Sequence, residues 1–243
     1  MAQFPNSLEE AIAQSREATL AALEAGCTRL SVNLQFTELK QMPVALQFLP
    51  VFEQLGIQPK ILFADTGAAA LARRDWTDIS FQIDDVGTSR TPVEKKILPE
   101  DEAFLLVAPS AVEVAQVEKM ANLAGDRPFI LLNPQLEDVS IIGIGYAARQ
   151  LRDRFLGTIE SCYYLRPLQG AAVLRSYPSL WQVWLETNDE YQLIAEVPQR
   201  PAGEELDRIL AEATSTGTTD EAVAPKKPGF LTNLQRFLNA LSR

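Results

Sequence analysis

The sequence predicts an α/β fold: a Rossmann-like, doubly wound and mostly parallel sheet with an antiparallel extension in the C-terminal half. Two observations predict it. Short runs that are apolar on both faces, such as AFLLVAP (103–109) and PFILLNP (128–134), alternate with segments of helical periodicity, the pattern of a parallel sheet covered on both sides. After about residue 156 that alternation stops. YYLRPL, AAVLRSY, SLWQVWLE and YQLIAEV then follow one another through short turn-like links, as in antiparallel hairpins.

Each element has its own signal. Ser7 and Glu10 form a capping-box pair, apolar residues recur at helical spacing through Leu23, and Gly26 supplies the stop, which predicts a helix over 7–24. RLSVNLQF is rich in strand formers. A helix through Val44 to Leu55 ends at Gly56, KILFAD (60–65) is a short apolar strand, TGAAALARRDW is a helix, and ISFQID (79–84) is a further strand. Ala111–Leu123 and about 145–156 read as helices between and after the two apolar strands, and PAGEELDRILAEA closes the domain as a helix. These elements make one α/β domain over 1–213. Thr214 to Pro228 is poor in large apolar residues and rich in Thr, Pro and charge, the composition of a linker. Over 229–243, Phe230, Leu234, Phe237 and Leu238 fall on one face of an amphipathic helix that is too short to span a bilayer and has to dock on its own domain, a partner or a membrane surface. Lys226, Lys227, Arg236 and Arg243 make this segment net basic, which favours an anionic surface.

Composition removes several functions. Thirty-two acidic residues against 22 basic ones give a net charge of −10, which opposes attraction to a phosphate backbone, so nucleic acid is not an expected partner. With no histidine in the chain, Ser-His-Asp and Cys-His nucleophile systems, histidine metal sites and the usual near-neutral base are all absent. The two cysteines, Cys27 and Cys162, have no metal-ligand spacing and read as small hydrophobes of a reducing compartment. No metal site and no cofactor is called for. No apolar run approaches the roughly 18 residues of a membrane-spanning helix. MAQFPNSLEEAIAQ has neither a charged n-region nor an apolar h-region, so the chain is expected to begin in the cytosol or an equivalent compartment.

Several residues remain as candidate sites. Asp65-Thr66-Gly67 resembles one half of an aspartic protease dyad, but no second DTG or DSG exists; at the end of a strand Asp65 is a natural N-cap, placed where open α/β sheets bind ligands. Gly143-Ile-Gly145-Tyr-Ala-Ala148 matches a G-x-G-x-x-A turn, yet the chain reads Tyr163-Tyr164-Leu165-Arg166 near the position where a ribose-binding acid belongs. With Asp65, Ser110 and Asn133 at strand ends, Gly143 and Gly145 define a candidate ligand crevice. Arg149, Arg152, Arg154, Arg166 and Arg175 form an anion pocket or else pair with acids on a solvated surface. Cys162–Glu186 concentrates aromatic side chains and arginines, a combination enriched at interaction hot spots. In SLWQVWLE, Trp181, Val183 and Leu185 share the fully apolar face and Trp184 sits among polar residues, which makes Trp181 the expected core residue and Trp184 the expected outward one.

Asn133-Pro134, the Arg-rich segment ending in Arg154-Phe155, Tyr164-Leu-Arg-Pro167, and Arg175-Ser-Tyr-Pro178 followed by Trp181-Gln-Val-Trp184 resemble the DUF1995 family of cyanobacteria and plastid-bearing organisms, and FPNSLEEAIAQSREATLAAL and RLSVNLQF are similar to its opening. The resemblance covers most of 4–198. It implies an oxygenic-photosynthesis setting, since plastid members are associated with accumulation of photosystem II and some plant members are fused to adenylate kinase. It carries no catalytic residues over. The expectation that follows is a non-enzymatic photosystem assembly or interaction factor. It would engage photosystem subunits or biogenesis proteins through Tyr164, Arg166, Arg175 and Trp184, and would lie in the cytoplasm, held peripherally at the thylakoid membrane by the C-terminal helix. The alternative is a small-molecule or nucleotide-binding protein, enzymatic or not, that uses the strand-end crevice.

Overall fold

Ser7 starts the first helix as the sequence predicts: its Oγ accepts from the Glu10 N–H at 3.1 Å, and the Glu10 carboxylate accepts from the Asn6 N–H at 2.7 Å. The computed structural model describes residues 3–77, 79–137, 146–188 and 190–216. In chain order these form α1 (Leu8–Glu24), β1 (Arg29–Leu34), α2 (Gln41–Phe48), α3 (Pro50–Leu55), β2 (Pro59–Phe63), α4 (Thr66–Asp75), β3 (Gln82–Asp85), β4 (Ala103–Val107), α5 (Val114–Ala124), β5 (Phe129–Leu132), α6 (Tyr146–Arg154), β6 (Glu160–Leu168), β7 (Ala171–Ser176), β8 (Trp181–Thr187), β9 (Glu190–Val197) and α7 (Glu204–Thr216). The single helix expected up to Gly56 is two, because Pro50 has no N–H to continue the first and instead opens the second. Thr214, where the sequence places the start of a linker, belongs to α7, which runs to Thr216; the rest of that expected linker lies outside the described residues.

All nine strands join one sheet in the order β3-β2-β4-β5-β1-β6-β7-β8-β9. Pairing is parallel from β3 to β6 and antiparallel from β6 to β9, which is the predicted α/β class with its antiparallel extension. On one face, α1 to α4 bury the largest cluster, with Leu30, Val32, Ile61, Leu105, Ile130 and Leu165 facing them. The other face carries two separate blocks. Phe104, Leu106, Phe129 and Leu131 pack under α5 and α6, whereas Val173, Trp181 and Val183 pack under α7.

Between these blocks the β1–β6 ladder slips: Ser31 pairs with Ser161, but Val32 pairs with Tyr163, leaving Cys162 as an extra residue. Such bulges re-aim side chains. Cys162 and Tyr163 both face the α1 side, where the Cys162 thiol donates to Ser31 O at 3.3 Å and the Tyr163 hydroxyl donates to Gln14 Oε1 at 3.2 Å. The phase shift therefore turns Ser161 and Tyr164 to the opposite face together.

The β2–β4 end of the sheet is tied by a buried ion pair, Lys60 Nζ to Asp101 Oδ2 at 3.2 Å, with side-chain exposures of 6% and 4%. The same carboxylate oxygen accepts from the Leu98 N–H, and Arg127 donates to the Leu98 and Asp101 carbonyls.

Two outcomes test this account. Asp101→Ala strands the Lys60 ammonium in the interior and is expected to cost about 3–5 kcal/mol in urea unfolding, most of it recovered in the double variant Lys60→Met, Asp101→Leu. Burial pushes the Cys162 thiol up to about 12, so at about pH 8 a thiol reagent is expected to modify one cysteine, the half-buried Cys27, in the native protein and both after denaturation.

Candidate functional site

A parallel strand in the middle of a sheet covered on both faces ordinarily reads as a continuous apolar run. β4 and β5 do, and β2 does from Ile61 to Phe63; β1 does not. Leu30, Val32 and Leu34 are buried under α1, while Ser31, Asn33 and Gln35, just beyond the strand, alternate with them on the opposite face. Over these three residues and Ser161, their neighbour on β6, lies a cleft of about 910 Å³, within the usual range for small-molecule sites. One wall is aliphatic, from Leu131, Leu136, Leu156 and Ile159 of the α5–α6 block, and the other is Tyr164 and Trp181 of the α7 block.

The floor has unused hydrogen-bonding capacity. Among the described residues the hydroxyls of Ser31 and Ser161 and the amide of Gln35 make no side-chain hydrogen bond, and the Asn33 amide has only a long 3.4 Å contact to Pro134 O. Groups with that capacity beside apolar walls are what orients a ligand in a pocket.

At the rim, β4 and β5 end alike. Ala108-Pro109-Ser110 and Asn133-Pro134-Gln135 each begin with a residue at positive φ, 51° and 49°, and Ser110 bridges Gln135 in parallel. Left-handed backbone is uncommon for a residue with a Cβ, and the following proline narrows the choice further; such strain collects at functional sites. Asn133 holds the strand ends together: its Oδ1 accepts from the Leu34 N–H at 2.6 Å and its Nδ2 donates to Gln41 Oε1 at 2.7 Å. Ser110 lines the cleft with its N–H and hydroxyl both donated to Glu113, at 2.9 and 2.6 Å.

The aromatic wall is built as a ladder. Tyr164 meets Trp181 edge to face at 5.2 Å, Arg175 lies 5.5 Å over the Trp181 ring, and Arg200 lies 5.7 Å over Tyr164. Arg175 is fixed from behind by its hydrogen bond to Ser161 O and its ion pair with Glu160.

The predicted site residues separate on this frame. Ser110 and Tyr164 line the cleft, Arg175 backs it, and Asn133 braces its rim. Arg166 is exposed further along β6, on the cleft's side of the sheet. Trp184, expected to face outward, is 8% exposed and packs against Phe4 at 5.5 Å on the α1 face, because Phe4 and α1 cover the side of β8 that the sequence leaves looking polar. Trp181 does lie on the other face, as alternation requires, where it serves as cleft wall as well as core. Asp65 caps α4 through the Ala68 N–H at 2.9 Å and takes no part in the cleft. Beside it Lys96 donates to Asp84 and Asp85 at 2.9 and 3.0 Å. Burial works to raise the Asp84 carboxyl, but the Lys96 hydrogen bond and charge outweigh it and hold the group below its ordinary value. The five arginines do not converge: Arg152 pairs with Glu137, Arg154 with Glu118 and Arg175 with Glu160. Gly143, Gly145, Phe230, Leu234, Phe237 and Leu238 lie outside the described residues.

Sequence reasoning missed Ser31, Asn33, Gln35, Ser161 and Arg200. The strict alternation of RLSVNLQ, anomalous for a strand buried on both faces, was the available signal for the first three. Among the described residues no cluster of three metal-ligating side chains occurs, and no helix is long and apolar enough to cross a membrane. Residues 5–208 match the family described as a domain of unknown function, DUF1995, and the chain belongs to that family.

Proposed function

We propose that this chain is a small-molecule-binding α/β protein whose ligand occupies the cleft over β1. The observation that carries the reading is the polar second face of the central strand: Ser31, Asn33 and Gln35, with Ser161 alongside, aim unused hydrogen-bonding groups into a cleft of about 910 Å³. Gln35 is exposed and Asn33 and Ser161 are half-buried, so these groups are open to the cleft, where a ligand that takes the place of water can use them as its polar contacts while its apolar parts meet the walls. Among the described lining residues the ionisable side chains are Glu137, Tyr164 and Arg200, with Glu137 already paired to Arg152. That set supports binding and release more than bond-making chemistry.

The other reading, an interaction factor at a photosynthetic membrane, drew on Tyr164, Arg166, Arg175 and Trp184 as one surface. Trp184 lies on the α1 face and the other three on the cleft face, so those four do not make a common patch.

Thermal denaturation against a library of small metabolites tests the proposal. A ligand at a hundredfold excess over its Kd adds about 2.7 kcal/mol of stability, so a binder is expected to raise the melting temperature by several degrees. Ser161→Trp, which fills the cleft from its floor, is expected to fold with an unchanged circular dichroism spectrum and to lose that shift. A library with no active compound, or a shift that persists in the filled variant, would sink the reading.

A further inference from the structure

The charge of the cleft is uneven, and this points to the kind of ligand it takes. The wall ladder contains two guanidinium groups. That of Arg175 is answered by Glu160. That of Arg200 is not: it is exposed, lines the cleft, lies 5.7 Å over the Tyr164 ring and has no ion pair among the described residues. In a chain whose net charge is −10, the general surface repels anions, and a local uncompensated cation is the feature that reverses this at one place. Arg200 comes from the segment between β9 and α7, so it reaches the cleft from the α7 side. The face of Tyr164 holds the guanidinium by cation–π attraction while leaving its N–H fork available, and such a fork matches a planar or tetrahedral oxyanion in two-point hydrogen bonding.

Resting on the proposal that the cleft binds a small molecule, we propose that its ligand is an organic anion with a ring or flat apolar body. The carboxylate or phosphate is gripped by Arg200, the body lies along Tyr164 and Trp181, and polar substituents reach Ser31, Asn33 and Ser161. The neutral floor sets the orientation; Arg200 sets the charge.

Matched pairs that differ only in the anionic group test this on the full chain by titration calorimetry: flavin mononucleotide against riboflavin, adenosine monophosphate against adenosine, and indole acetate against indole acetamide. The phosphate and carboxylate pairs identify which oxyanion is read. Within at least one pair the anion is expected to bind tenfold or more tighter than its neutral parent, a charge-assisted hydrogen-bond effect. Arg200→Gln is expected to abolish that preference, Arg200→Lys to restore part of it, and Ser161→Trp to remove binding altogether. Equal binding of anion and parent overturns the anion assignment and leaves the cleft as a binding site. A preference that survives Arg200→Gln overturns it too, since the anion then sits elsewhere. Absence of binding by every compound overturns the cleft proposal and this one with it.

Discussion

The rest of the structure hangs on the position of β1, which hydrogen-bonds to β5 on one side and β6 on the other. It is the first strand in the chain and lies at the junction where parallel pairing gives way to antiparallel. Because β5 and β6 flank it, the chain leaving β5 has to pass from one neighbour of β1 to the other. The second face is accordingly covered in two blocks that share no buried residue, one under α5 and α6 and the other under α7. The opposite face has no such division: Leu30, Val32 and Leu34 join the largest cluster beneath α1. A strand with one face sealed and one face at a gap between the described blocks can alternate, and β1 does.

The bulge on β6 completes the arrangement. Were Cys162 an ordinary strand residue and not a bulge, strict period-2 alternation from Ser161 would send Tyr164 to the α1 side. Placing Cys162 and Tyr163 on the same face brings Tyr164 into register with Trp181 and the cleft. Thr19 and the Ser31 carbonyl receive the displaced thiol, so the irregularity is packed on the sealed face and its consequence appears on the open one.

Much of this fold was legible because apolar runs and caps are local. KILF, AFLLV and FILL announce buried parallel strands, Ser7 and Asp65 announce helix starts, and the segments from Tyr163 onward announce hairpins. Strand order is another matter. That Ser31 of β1 lies beside Ser161 of β6 is a contact across 130 residues that no periodicity encodes, so the two halves of the cleft floor could not be joined from sequence. Alternation correctly separates Trp181 from Trp184 but does not say which face is covered, and here both are: Phe4 packs on Trp184 and Tyr164 on Trp181. Arg200 was invisible for the same reason, since its meaning comes from the ring of Tyr164 beneath it.

A packing defect would leave a different signature from the one observed. A gap in the cover asks only for a strand face that water can solvate, and polar side chains there meet that need without strain. Here the hydroxyls of Ser31 and Ser161 remain unbonded among the described residues, and two adjacent strands end in left-handed residues, Ala108 and Asn133, at the cleft's border. The hydroxyls are open to the cleft, so the cost lies in the strained backbone, which the three apolar clusters have to offset. Retaining that strain beside the polar floor is the compromise expected when a surface is shaped for something that binds to it, and not for the fold alone.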